Sequence, residues 1–134
     1  MKSKIYTLTV NTSERTQLLD ITSKVEQVVK QSGVKEGMVH IFNPHTTAGL
    51  TINENADPDV ASDILMELDK MVPLNDGYRH VEGNSAAHIK SSLFGVSLTV
   101  FVTGGRLVLG TWQSLYFCEF DGPRQRKVLV KVIE

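Results

Sequence analysis

Polar side chains are densest between residues 43 and 59, where the sequence reads NPHTTAGLTINENADPD. An imidazole, threonine hydroxyls, amides and carboxylates lie there on turns flanking a strand, and loops often carry binding and catalytic residues. Turn formation and helix capping explain part of this set, because Asp57 precedes a proline at a helix start. They do not explain His45 or Glu54. We expect the chain to return Glu54 to the pocket of His45, as a general base or as a partner of a metal-bound water.

Three of the four histidines, His45, His80 and His88, lie at turns or helix starts, whereas His40 alternates inside a strand as a structural side chain. Three neutral imidazoles with one open position form a site for zinc or another transition metal, which binds an anionic oxygen or activates water. The spacing is not that of a metalloprotease helix. Isolated histidines are often ordinary core or surface residues, so both interpretations stay open.

Arg124 follows Asp-Gly-Pro on a predicted turn. Its guanidinium can clamp a phosphate through two donors, although a solvated turn arginine is the commoner case. Cys118, the single cysteine, is expected to be buried and inert within a strand, and it excludes an intramolecular disulfide. A chain without disulfides suits a reducing compartment, so a cytoplasmic location is predicted.

The composition predicts one globular domain over residues 1–134. Hydrophobic residues make up 41% of the chain and charged residues 22%, which is ordinary globular usage. The net charge of −1 offers no general attraction for nucleic acid or an anionic membrane. No stretch approaches the ~18 apolar residues of a membrane span. We therefore expect neither nucleic acid nor membrane as a partner.

Alternating and continuous apolar segments predict strands at 4–10, 15–19, 37–42, 47–53, 96–102, 106–109, 114–120 and 127–133. The last four are separated by short glycine turns, which favour antiparallel pairing, and no crossover helix lies among them. The predicted fold is therefore α+β, a largely antiparallel β-sheet sandwich with about three helices. Its apolar late strands have more surface than three short helices cover, and an uncovered apolar face usually marks an interface.

Three helices follow from capping residues and helical spacing. The first begins after Asp20 or Thr22 and stops at Gly33, and the third covers 86–93 between a cap at Asn84 or Ser85 and a stop at Gly95. The second runs from Asp57 to about residue 71. Its predicted buried face consists of Val60, Ile64, Leu65, Leu68 and Met71.

These segments together resemble the YjbQ family, also called the secondary thiamine-phosphate synthase family. The resemblance rests on residues 44–48 and 52–60, on His80, and on Asn84 to His88. A late signature adds Ser97, Val100, Val102, Gly105 and the run Gly-Thr-Trp-Gln at 110–113. The match covers most of the chain.

The resemblance implies a homotrimer with a polar, metal-capable pocket near the subunit boundary. It implies weak joining of hydroxymethylpyrimidine diphosphate to thiazole phosphate, with release of pyrophosphate. The catalytic candidates are His45, Asn53 and Glu54, and the metal candidates are His45, His80 and His88. The candidates for binding a small phosphorylated metabolite are Thr46, Thr47, Asp57, Asn84, Trp112, Gln113 and Arg124.

Three histidines suit a zinc-like or other transition metal, while magnesium would use Glu54 and Asp57 beside a phosphate. A non-catalytic trimeric protein that binds a metal or a small anion is the alternative to an enzyme. Both interpretations require the same polar pocket.

Overall fold

Eight strands and three helices follow one another along residues 4–134, the part of the chain that the computed structural model describes. Their order is β1 (Ile5–Asn11), β2 (Gln17–Asp20), α1 (Thr22–Ser32), β3 (Gly37–Phe42), β4 (Ala48–Glu54), α2 (Pro58–Met71), α3 (Ser85–Leu93), β5 (Ser97–Thr103), β6 (Arg106–Leu107), β7 (Gln113–Glu119) and β8 (Gln125–Ile133).

The strands form two antiparallel sheets. The large sheet has the order β1-β8-β3-β5-β6, and the small sheet has the order β2-β7-β4. Short turns join β5 to β6 and β7 to β8, as the late glycines predict. The predicted α+β class with antiparallel sheets and three helices is confirmed.

The main core lies between the two sheets. Alternate side chains of the large sheet point inward, for example Val39 and Ile41 on β3, and they meet Leu50 and Phe117 of the small sheet. Helix α1 packs into the same core through Val25, Val28 and Val29. This alternation is the period of two expected of strands with one buried face.

A second, smaller core lies on the opposite face of β7. Tyr116 and Cys118 pack there with Phe120, against Leu68 of α2 and Ala87 of α3. Because β7 is covered on both faces, its sequence is an almost continuous apolar run. Cys118 is fully buried, and burial raises the pKa of its thiol far above the ordinary value. This placement agrees with the prediction that the thiol is buried and inert.

Several predicted helix ends are confirmed. Asp20 accepts a hydrogen bond from the backbone N–H of Thr22 at 2.9 Å, and Gly33 ends α1 with a φ of 75°. Asp57 accepts from the backbone N–H of Asp59 at 2.9 Å. These contacts satisfy N–H groups that a helix leaves free in its first turn.

Other predictions at element ends are wrong. Asn84 precedes α3 but its side chain does not cap the helix: Nδ2 donates to Asp121, and Oδ1 accepts no hydrogen bond from the described residues. Gly95 does not end α3 as a left-handed residue, since it pairs with Leu50 in an isolated bridge. The predicted strand 106–109 shortens to two residues, and the segment 15–19 begins its strand only at residue 17.

The predicted buried face of α2 is only partly buried. Leu68 is buried, Val60, Ile64 and Leu65 are half-buried, and Met71 is 63% exposed. The helix lies at the edge of the small sheet, so only its middle turns reach the second core. Helical spacing gives the direction of an apolar face, but it does not give the width of the surface that covers it.

Candidate functional site

A groove of about 680 Å³ brings together most of the polar residues singled out above. The β3–β4 loop, the segment before α3, the first turn of α3 and the β7–β8 turn form its walls. Its lining residues are Pro44, His45, Thr46, Thr47, His80, Glu82, Asn84, His88, Asp121, Arg124 and Arg126. The groove therefore contains all three predicted metal ligands and four of the predicted substrate-binding residues, namely Thr46, Thr47, Asn84 and Arg124.

A buried ion pair lies beneath this groove. Glu119 has no exposed surface and Arg126 is 2% exposed. Nε of Arg126 donates to Oε1 of Glu119 at 2.8 Å, and Nη2 donates to Oε2 in a second, short contact. Nη2 also donates to the hydroxyl of Thr47 at 2.9 Å. The bidentate contact with Glu119 fixes the plane of the guanidinium.

Two guanidiniums present free donors at the groove. No residue among 4–134 accepts a hydrogen bond from Nη1 of Arg126, and Arg126 lines the groove. Arg124 donates from Nε to the carbonyl of Asp121 at 2.9 Å and from Nη2 to its carboxylate at 3.1 Å. Both arginines are thus held in place by contacts that leave part of each guanidinium for a ligand. Such an arrangement suits phosphate oxygens.

His45 is held rigidly at the edge of the groove. Its backbone N–H donates to the side chain of the buried Asn43 at 2.9 Å, and its ring packs edge-on against Phe117. Its Nε2 accepts a hydrogen bond from the backbone N–H of Lys127 at 2.9 Å. Desolvation and the nearby charge of Arg126 lower the pKa of His45, so the ring is neutral at pH 7.

His80 and His88 form a pair on the opposite wall. Their ring centroids lie 5.6 Å apart with the rings nearly perpendicular, and His80 Nε2 is 3.9 Å from a carboxylate oxygen of Glu82. This edge-to-face contact places the two imidazoles next to each other at the groove. His45 stays outside this pair, and residues 4–134 contain no cluster of three such donors close enough to hold a metal.

Asn84 links the two walls. Its Nδ2 donates to Oδ2 of Asp121 at 2.9 Å, the same carboxylate oxygen that Arg124 contacts. Its Oδ1 is buried without a protein partner among the described residues. The side chain therefore fixes the β7–β8 turn against the start of α3, and it holds an acceptor that a bound water or ligand can satisfy.

The remaining predicted site residues lie at the other end of the small sheet. Glu54 pairs with Gln113, whereas Ala48 at the start of the same strand pairs with Glu119. Six residues of extended chain separate these ends by about 20 Å. Glu54, Asn53, Trp112, Gln113 and Asp57 therefore do not join the groove within one chain. The expected return of Glu54 to His45 does not occur, because β4 is one straight strand.

Sequence reasoning missed Arg126, Asp121 and Glu82. Arg126 carried a usable signal, because it shares the inward register of Val128 and Val130 on β8. A charged residue at a core position requires a buried partner, and Glu119 has the same inward register on β7. Asp121 and Glu82 lie in turns, where acidic residues carry no comparable signal.

A family model described as UPF0047 protein YjbQ-like matches residues 6–134. The UPF0047 protein YugU of Bacillus subtilis is 52% identical, over 95% of this chain and 97% of its own. No helix within residues 4–134 is both long enough and apolar enough to cross a membrane.

Solved structures extend the likeness to the fold. An uncharacterised protein of the YjbQ/UPF0047 family from Clostridium acetobutylicum is 57% identical, with a TM-score of 0.93 over 96% of this chain and 99% of its own. A protein of unknown function from Sulfolobus solfataricus is 34% identical, with a TM-score of 0.92 over 98% and 96%. The chain therefore belongs to the YjbQ-like UPF0047 family.

Proposed function

We propose that the groove binds a small phosphorylated metabolite and that the protein is an enzyme acting on such compounds. The observation that carries this proposal is Arg126, a buried guanidinium that Glu119 and Thr47 orient while its Nη1 lacks an acceptor among residues 4–134. A buried charge that is fixed but incompletely paired suits an anionic ligand. Arg124 adds a second guanidinium on the adjoining turn.

The reaction class that we propose is transfer with a phosphate or pyrophosphate leaving group, with weak thiamine-phosphate synthesis as the leading case. In that reaction, the thiazole nitrogen forms a bond to the pyrimidine methylene carbon, and the carbon–oxygen bond to pyrophosphate breaks. Negative charge then develops on the leaving pyrophosphate. Fixed donors from Arg124 and Arg126 stabilise that charge more than the charge on the bound substrate.

A divalent metal ion is part of the proposal, and the His80 and His88 pair supplies its ligands. Neutral imidazoles suit zinc or a similar transition ion better than magnesium, which prefers oxygen ligands. Such an ion would polarise a phosphate oxygen or lower the pKa of a bound water. The nearby carboxylate of Glu82 is available to orient the ring of His80.

A non-catalytic protein that binds a metal or small anion is the second candidate. It is favoured by the distance between the groove and Glu54, because the predicted general base lies at the other end of β4. For either function we propose a homotrimer, supported by the open outer face of the large sheet. The cytoplasmic location stays a prediction.

Arg124→Gln tests the proposed function. The wild type, incubated with hydroxymethylpyrimidine diphosphate and thiazole phosphate, is expected to form thiamine phosphate and pyrophosphate, and the variant about tenfold or more slowly. Arg106→Gln, on the exposed strand β6, is the matched control and should keep wild-type turnover. Phosphate binding without turnover would favour the second candidate, and absence of both would contradict the proposal.

A further inference from the structure

We propose that His45 is a fixed hydrogen-bond donor to the bound phosphate, presented through Nδ1–H, and that it is not a metal ligand. This inference rests on the proposed phosphate-binding function and assigns a role within the same groove. It separates His45 from His80 and His88, with which the sequence had grouped it.

The backbone N–H of Lys127 decides the tautomer of His45. This N–H lies 2.9 Å from Nε2, and an N–H can donate only to a ring nitrogen that carries no proton. In the neutral ring the proton is then on Nδ1. Protonating Nε2 would set two donors against each other and leave the Lys127 amide without its acceptor.

The position of the ring cannot easily relax to another arrangement. Asn43, which is buried, accepts from the backbone N–H of His45 and donates to the carbonyls of His45 and Ala48. Phe117 supports the ring from the core side. The partner Lys127 lies in β8, between two core positions of the large sheet. Both sides of the contact therefore belong to rigid parts of the fold.

The other ring nitrogen of His45, Nδ1, is available to a ligand. No residue among 4–134 accepts a hydrogen bond from Nδ1 of His45, although His45 lines the groove. Arg126, whose Nη1 is also unpartnered, immediately precedes Lys127 in the chain. Lys127 thereby orients the neutral donor of His45, and the preceding residue, Arg126, supplies a charged donor. The two donors together suit two oxygens of one phosphate.

The same hydrogen bond makes His45 a poor metal ligand. A metal requires an unprotonated nitrogen, and Nε2, the unprotonated one, is occupied by the Lys127 amide. Coordination through Nδ1 would move the proton to Nε2 and break that contact. The metal proposed above therefore depends on His80 and His88 and not on His45.

Nitrogen-15 NMR of the wild type tests the tautomer without any substitution. We expect the Nδ1–H form of His45 at pH 7.5 in metal-free protein, and the Nε2–H form would overturn the inference. His45→Gln then tests the role. Glutamine places its amide near the position of Nε2, so it can still accept from Lys127, but it leaves no donor at the position of Nδ1. His40→Gln is the matched control, because His40 lies on the outer face of β3 and contacts Thr99.

The probes are zinc alone and inorganic phosphate alone, both measured by calorimetry. We expect His45→Gln to keep the zinc stoichiometry of the wild type and to bind phosphate about tenfold more weakly, with His40→Gln unchanged in both. Loss of zinc in His45→Gln, or unchanged phosphate affinity, overturns this inference alone. A wild type that binds no phosphate overturns the proposed function together with it.

Discussion

Glu119 and Arg126 form a buried ion pair, and they differ in how completely their hydrogen-bonding atoms are paired. Glu119 is fully satisfied by Arg126, by the hydroxyl of Thr12 and by the backbone N–H of Asp121. Arg126 keeps Nη1 without an acceptor in the part of the chain that the structure describes. Buried pairs of this kind contribute little net stability, because desolvation offsets their attraction. What the pair does beneath the groove is hold a guanidinium donor in position.

Acid should destabilise the protein through Glu119. Burial alone raises the pKa of this carboxyl, but hydrogen bonds from Arg126, the Asp121 amide and Thr12 hold the pKa below the ordinary value of 4.5. The ionised carboxylate therefore stabilises the folded state fully above that value, and the contribution is lost as pH falls through the lower folded pKa. Urea unfolding measured between pH 7 and pH 3 should show this loss.

Glu119→Gln isolates the effect. Removing one partner leaves a buried, unpaired guanidinium, so we expect a loss of about 3–5 kcal/mol in the free energy of unfolding at pH 7. The variant should also show a smaller fall in stability on acidification. Glu14→Gln, at an exposed position, is the control and should follow the wild-type profile. A variant as acid-sensitive as the wild type would contradict the assignment to Glu119.

The sequence was informative about which groups gather in the groove and less so about their contacts. The groove brings together His45, His80, His88 and Arg124, all of which lie at predicted turns or near a predicted helix start, where binding residues are often found. The tautomer of His45 was not predictable, since it depends on an amide 82 positions away in the chain. The orientation of Asn84 was not predictable either. Its side chain contacts Asp121, whereas the sequence predicted a helix cap.

Among the elements, β4 determines which predicted residues share a site. Its residues from Ala48 to Glu54 pair without interruption with β7, so the strand separates Thr47 at the groove from Glu54 at the opposite edge. The sequence does predict the strand, but it does not show whether the chain turns back afterwards. The structure also brings Phe94, the residue that follows α3, close to β4. A Cβ atom at Gly49 would lie only 2.6 Å from Cβ of Phe94, a long-range contact that no local pattern reveals.

Helix α2 provides a test of capping. Asp57 Oδ1 accepts from the backbone N–H of Asp59, and Pro58 occupies the first turn, where its missing N–H costs nothing. Asp57→Ala should lower the free energy of unfolding by about 0.5–2 kcal/mol, as measured by urea denaturation. Asp57→Asn keeps a capping oxygen and should lose much less. Equal losses in the two variants would show that the cap is not the cause.

At the scale of the whole molecule, the two sheets differ in how they are covered. The small sheet has the main core on one face and α2 and α3 on the other. The sequence predicts an uncovered apolar face on the late strands, but β7 is covered on both of its faces. The large sheet has its core on the inner face only. Its outer face presents Ile5, Met38, Phe42, Phe101 and Ile133, each at least partly exposed.

The register brings several of these side chains together. Met38 pairs with Phe101 on β5 and with Ile133 on β8, so the three form one row across the sheet. Contiguous exposed apolar side chains of this kind usually mark a contact with another chain. The proposed homotrimer would cover them. Lys127, which contacts His45 at the groove, lies six residues before Ile133 on β8, so this row is about 20 Å from the groove.

Light scattering of Phe101→Glu tests the assembly. The wild type should have a mass of about 45 kDa at micromolar concentration, three times the 14.9 kDa of one chain. Phe101 is 67% exposed in the single chain, so glutamate there should not disturb the core, but burying its charge at an interface is costly and should shift the mass toward one chain. Val81→Glu makes the same kind of change on an exposed loop and should stay trimeric. A wild type of about 15 kDa would contradict the trimer outright. A trimeric Phe101→Glu would instead place the interface on a different face.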